Sequence, residues 1–154
     1  MMKGSKLILA AAAGIIMLAA CQKGVVYDSY ASTPLAGWEK NDTLTFTVPP
    51  VDSTATYASQ IGLRTTEAYP FTAITLIVEQ HIYPSDSTVT DTVNCQLIDR
   101  HGNASGKGIG YHQYTFPAGE LGLQKGDSIY VRIRHDMKRE ILPGISDVGL
   151  TLKR

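Results

Sequence analysis

Cysteine is scarce in this 154-residue chain: only Cys21 and Cys95 are present. Two cysteines cannot build the disulfide framework that staples a small secreted fold, so the core must hold the body together. Excess charge is also missing, with 14 basic against 14 acidic residues and no run of one sign. That removes the electrostatic footprint of a nucleic-acid binder, so no nucleic-acid partner is expected. Tryptophan occurs once, at position 38. Four histidines (His81, His101, His112 and His135) lie far apart with no ligand spacing, and they are expected at the surface or at strand flanks. No serine has a G-x-S-x-G context, and no carboxylate pair stands out as an acid/base couple. No catalytic residue, cofactor or metal site is expected, and no enzyme.

What is present begins at the N-terminus. Lys3 and Lys6 precede an uncharged apolar stretch, Leu7 to Ala20, that is too short for a typical spanning helix of roughly 20 residues. It closes in Leu18-Ala19-Ala20-Cys21, a lipobox: a branched apolar residue, two small residues that fit a peptidase cleft, and a thiol to accept diacylglycerol. Residues 1–20 are therefore read as a lipoprotein signal peptide and Cys21 as the lipidated residue. Removing Lys3 and Lys6 leaves 12 basic residues against 14 acidic ones. The expected body is soluble and tethered to a membrane by its lipid.

Residues 21–40 hold Pro34 and Gly37 and have no clear period, which reads as a lipidated tether and irregular lead-in. From residue 41 to 154 the period is two. Leu44, Phe46 and Val48 alternate with threonines, and Tyr57, Ile61 and Leu63 share a face. Ile74, Leu76, Val78 and Ile82 lie opposite Thr75, Glu79 and His81, and Val89, Val93, Cys95 and Leu97 lie opposite Thr88, Thr90, Thr92 and Asn94. Pro84-Ser85-Asp86-Ser87 joins the last two segments as a hairpin. Further strands are expected at Tyr111–Phe116, Ile129–Arg134 and Val148–Leu152. Short alternating strands rich in Thr, Val, Ile and Tyr predict an all-β fold, a single β-sandwich of immunoglobulin-like or jelly-roll-like topology.

Three features outside this pattern are candidates for binding or reactivity. Cys95 sits on the apolar face of its strand and is expected to be an inert buried thiol. Gly106-Lys107-Gly108 superficially resembles a phosphate cradle, but no Ser or Thr follows the lysine and no helix follows the loop. The glycines are better read as a long hairpin turn with a bulge, a place where partner-binding groups can be displayed. Trp38 is read either as a residue capping the sandwich edge or as an exposed anchor for a partner.

Taken in order, several motifs resemble the gliding motility lipoprotein GldH family of Bacteroidota. They include Cys21, Val26-Tyr27-Asp28-Ser29-Tyr30 and Pro34-x-x-Gly37-Trp38-x-Lys40-x-Asp42-Thr43. Glu67-Ala68-Tyr69-Pro70-Phe71, Asp91-Thr92 and Gly106-Lys107-Gly108-Ile109-Gly110 continue the order. Arg132-Ile133-Arg134-His135-Asp136-Met137 and Gly144-Ile145-Ser146-Asp147-Val148-Gly149-Leu150 complete it. The resemblance implies an outer-envelope lipoprotein associated with gliding and type IX secretion machinery, with no catalytic residues to carry over. Gln22-Lys23-Gly24-Val25 lacks the acidic run that sends some such lipoproteins to the cell surface, so the periplasmic side of the outer membrane is expected.

Two functional classes remain. The first is a non-catalytic envelope component that binds partner proteins, with Trp38, Gly106, Lys107 and Gly108 as candidate contacts. The second is a carbohydrate- or glycan-binding sandwich on a lipid anchor. A glycan platform usually needs several aromatics on one strip, whereas this chain offers one tryptophan and scattered tyrosines.

Overall fold

The computed structural model describes residues 24–154, and the expected signal peptide (1–20) and Cys21 lie outside the described residues. Ten strands form among these residues: β1 (Val25–Ser32), β2 (Trp38–Glu39), β3 (Leu44–Val48), β4 (Ala55–Thr66) and β5 (Ala73–Tyr83), followed by β6 (Ser87–Gln96), β7 (Tyr111–Leu123), β8 (Ser128–His135), β9 (Ile141–Leu142) and β10 (Ile145–Lys153). They make two four-stranded antiparallel sheets, ordered β1-β10-β4-β7 and β3-β8-β5-β6, with β2 and β9 as a small ribbon.

The all-β sandwich expected from the alternation is present. Its topology is the jelly roll: the first long strand pairs with the last, and the eight long strands are shared four and four between the sheets. The immunoglobulin alternative, with its smaller sheets and different strand order, does not describe it.

Alternation explains the core. Leu44, Phe46 and Val48 of β3, Ile74, Leu76 and Val78 of β5, and Val131 and Ile133 of β8 point inward from one sheet. Tyr57, Ile61 and Leu63 of β4, with Val148, Leu150 and Leu152 of β10, meet them from the other. The predicted hairpin is β5–β6, in full register from Ala73↔Gln96 to Ile82↔Ser87.

Two expectations are corrected. The lead-in of residues 21–40 is not irregular throughout, because β1 is an integral strand that pairs with β10 from Val25↔Lys153 to Ser32↔Asp147. The strand escapes a period-two reading because it is an edge strand with half-covered faces and a bulge between Val25 and Tyr27. The glycine-rich segment 97–110 is not a hairpin turn either. It carries the chain from β6 in one sheet to β7 in the other.

Candidate binding surface

The loop between β6 and β7 is built from its own polar groups. The Asp99 carboxylate accepts the backbone N–H of His101 at 2.8 Å and of Asn103 at 3.0 Å. The Asp99 N–H donates to the Asn103 carbonyl at 2.8 Å, closing a tight local turn. Farther along, Lys107 and Gln113 exchange two backbone hydrogen bonds of 3.0 and 2.8 Å, which ties the loop onto the edge of β7.

Gly108 has a φ of 128°, and a Cβ there would strike the Tyr111 carbonyl. Gly106 lies on the face of the Tyr114 ring, where an added Cβ would stand 2.6 Å from Cζ. The Gly-Lys-Gly triplet thus lets the chain fold closely over β7 and leaves Lys107 exposed between the two glycines. Lys107 forms no ion pair among the described residues.

A cleft of about 600 Å³ opens beside this loop, lined by Ser105, Lys107, Gly108, Tyr111, Gln113, Tyr114, Thr115 and Phe116. Tyr111 and Gln113 also bound a second cleft of about 410 Å³, shared with Arg64, Thr66, Ser146 and Asp147. Arg64 stacks its guanidinium 3.9 Å above the Tyr30 ring. That ring lies flat over Gly62 and Gly149, where any Cβ would collide with it. Burial raises the Tyr30 phenol above its usual range, and the neighbouring Arg64 charge pulls it back in part.

The candidate anchor Trp38 is not at this surface, which corrects the exposed-anchor reading. It is 0% exposed, with its indole N–H donating to the Asp42 carbonyl at 2.8 Å. Its ring meets His135 edge-on at 5.2 Å. An indole has a large apolar body and a single donor, so a buried site that also satisfies the N–H is its stable place. The β2–β9 ribbon provides that site by pairing Trp38 with Leu142.

His135 stands at a strand flank, as the last residue of β8, but it is 0% exposed and so not a surface histidine. Its Nε2 lies 3.1 Å from the Trp38 carbonyl, and its Nδ1 accepts the Met137 N–H at 3.3 Å. A carbonyl can only accept, so the arrangement fits the neutral ring with hydrogen on Nε2. Burial holds His135 below its ordinary pKa, and hydrogen bonds to the Trp38 and Glu140 backbones counter that in part.

Cys95 is fully buried, with its thiol pushed up to about 12 by burial. A thiol held protonated at neutral pH is a poor nucleophile. Among the described residues, no three His, Cys, Asp or Glu side chains converge as a metal set. No helix among them is long and apolar enough to cross a membrane.

Sequence reasoning missed the apolar side chains at this end of the molecule. Ile109 and Leu35 are almost wholly exposed, and Tyr111 and Ile141 are about half exposed. They sit on the β6–β7 loop, the β1–β2 turn, the start of β7 and β9. The available signal was a lone isoleucine between Gly108 and Gly110, a position from which no strand face can be reached.

Comparison with known proteins adds a whole-chain likeness. The family model described as GldH lipoprotein matches residues 25–152. The gliding motility lipoprotein GldH of Flavobacterium johnsoniae is 31% identical over 159 aligned positions, covering 99% of this chain and 97% of that protein. A gliding motility lipoprotein GldH homolog of Christiangramia forsetii is 27% identical, covering 91% of this chain and 90% of that protein. Among solved structures, the globular domain of the zebrafish complement 1qA protein superposes with a TM-score of 0.45 at 11% identity. It covers 86% of this chain and 96% of that one.

Proposed function

The chain belongs to the GldH lipoprotein family, and from that premise we propose that it is a lipid-anchored, non-catalytic envelope component that works by binding partner proteins. Its place in this reading is the periplasmic side of the outer membrane, in association with gliding or type IX secretion machinery. The relatives' names support the link to gliding. The lipobox at Cys21 and the non-acidic Gln22-Lys23-Gly24 support the address.

The observation that carries the binding role is the exposure of Leu35, Ile109, Tyr111 and Ile141 at one end of a rigid sandwich, on loops and short elements. Single exposed apolar residues are ordinary on a protein surface, so it is their gathering at one end, on loops held by a rigid sandwich, that supports a docking surface. Cys95, fully buried and kept protonated, supports a structural role for the one thiol in the body.

The glycan reading has one favourable observation, the pair of clefts that meet at Tyr111 and Gln113. The exposed aromatics weigh against it. Tyr83 and Tyr130 are diagonal neighbours on the outer face of the β5–β8 pair, whereas Tyr111 stands at the other end of the sandwich beside the clefts and Phe71 on the β4–β5 loop. The clefts therefore have one exposed aromatic and not a strip. Crosslinking in native membranes, followed by purification and identification of what is attached, tests the two together. Recurrent recovery of the same envelope proteins supports partner binding. Recovery of none, together with clear binding on a glycan array, replaces it with the second reading.

A further inference from the structure

We propose that the end of the sandwich carrying Gly24 and Arg154 rests on the phospholipid surface, so that the β6–β7 loop faces away from the bilayer. The proposal rests on the reading of Cys21 as the lipidated residue. Only two residues, Gln22 and Lys23, lie between Cys21 and Gly24 along the chain, and the three Cα-to-Cα steps reach at most about 10 Å even when fully extended.

Gly24 is locked to the body, because its carbonyl accepts the Arg154 N–H at 2.7 Å. From there the same end can be traced side chain by side chain. The Arg154 guanidinium donates to Ser53 Oγ at 2.6 Å, and the Lys125 N–H donates to Thr54 Oγ1 at 2.9 Å. Gly126 donates to the Val51 carbonyl at 2.9 Å, and Tyr83 of the β5–β6 hairpin pairs with Ser128. The segments 49–54, 84–86 and 124–127 therefore share one end with the attachment point.

The other end is equally well fixed. Ser32 pairs with Asp147, Thr66 with Tyr111, and the Thr66 N–H donates to the Gly144 carbonyl at 2.7 Å. Between the two ends runs β1, whose eight residues span roughly 26 Å at about 3.3 Å each. A leash of about 10 Å cannot invert a body of that length, so the β6–β7 loop cannot be the end seated on the lipid.

The chemistry of the near end suits a lipid interface. Tyr83 is exposed there, and a tyrosine presents an apolar ring and a polar tip to a headgroup layer. Lys125, Lys153 and Arg154 can meet lipid phosphates, while Asp52, Asp86 and Asp127 offset their charge. The lipid on Cys21 therefore supplies the hold, and the protein end supplies the orientation. The consequence is functional: Leu35, Ile109 and Ile141 are presented outward, where no lipid of the same leaflet can cover them.

The test uses the full mature protein reconstituted in vesicles of phosphatidylethanolamine and phosphatidylglycerol that carry a nitroxide-headgroup lipid. A fluorophore is attached in turn to Lys125→Cys and to Asn103→Cys, both exposed positions. Cys95 is buried and stays unlabelled. Severalfold stronger quenching at position 125 than at 103 is the expected result. Equal quenching, or stronger quenching at 103, in protein that floats with the vesicles overturns the orientation and leaves the anchor standing. Failure of the wild type to float, matching Cys21→Ser, overturns the anchor reading and the orientation with it.

Discussion

Ser59 of β4 donates its hydroxyl to the side-chain oxygen of Gln80 in β5, 2.9 Å away across the middle of the sandwich. Both residues are about 1% exposed, and the Gln80 Nε2 has no partner among the described residues. A buried donor without an acceptor costs roughly 1–3 kcal/mol. The double variant Ser59→Ala/Gln80→Met removes the pair and the orphan together at similar volume. It should be at least as stable as wild type in urea melts, whereas Gln80→Met alone should be less stable than the double variant because it strands the Ser59 hydroxyl. A double variant that loses more than about 2 kcal/mol would show that the pair is a net stabiliser of the sandwich.

Trp38 closes the end of the core at the β2–β9 ribbon and is fully buried. Trp38→Ala should cost about 3–5 kcal/mol of stability, read as an early melt by circular dichroism. Partner capture should fall only in proportion to the folded fraction. Undisturbed melting with lost capture would return Trp38 to the role of direct contact.

His135 sets a pH dependence. Its pKa is lowered from the ordinary value of 6.5 by burial, so below that pH the unfolded chain takes up a proton that the native state resists. Stability should be constant above about pH 6.5 and fall as pH drops beneath it. Urea midpoints at pH 7.5 and 5.5 measure this, and His135→Gln should flatten the difference while lowering both values. An unchanged pH slope in that variant would assign the titration to another group.

Cys21 is expected to carry the lipid. Feeding cells a clickable fatty-acid analogue should label the wild type and leave Cys21→Ser unlabelled. Label on both proteins, or on neither, contradicts the anchor.

The legible parts of this fold were those with one buried face. In β5, Ile74, Leu76, Val78 and Ile82 announce their direction because the opposite face stays polar or half covered. Cys95 was placed for the same reason, since a one-residue slip would have put it outside. β1 gave no such signal: Tyr30 covers Gly62 and Gly149 on the outer face, so both sides of that end of the sheet are partly buried. The choice of jelly roll depends on β1 meeting β10, a pairing between opposite ends of the described chain. Local alternation carries no information about so distant a pairing. The binding surface was half legible. The loop of Gly106, Lys107 and Gly108 was found through its glycines, whereas Trp38 stayed between edge cap and exposed anchor, because composition cannot separate a core tryptophan from an exposed one. Leu35 and Ile141 were silent because a single apolar residue has no period.

Whether the loop-bearing end holds a protein partner can be read by site-specific photocrosslinking in living cells. A photoreactive amino acid is placed in turn at Ile109 and Leu35 on that end and at Lys125 on the other, and each adduct is identified by mass spectrometry. The same envelope protein should crosslink at positions 109 and 35, not at 125, with the adduct lost on adding Lys107→Glu and Tyr111→Asp. Discrete adducts at 125 with none at 109 or 35 would contradict a partner held at the loop-bearing end.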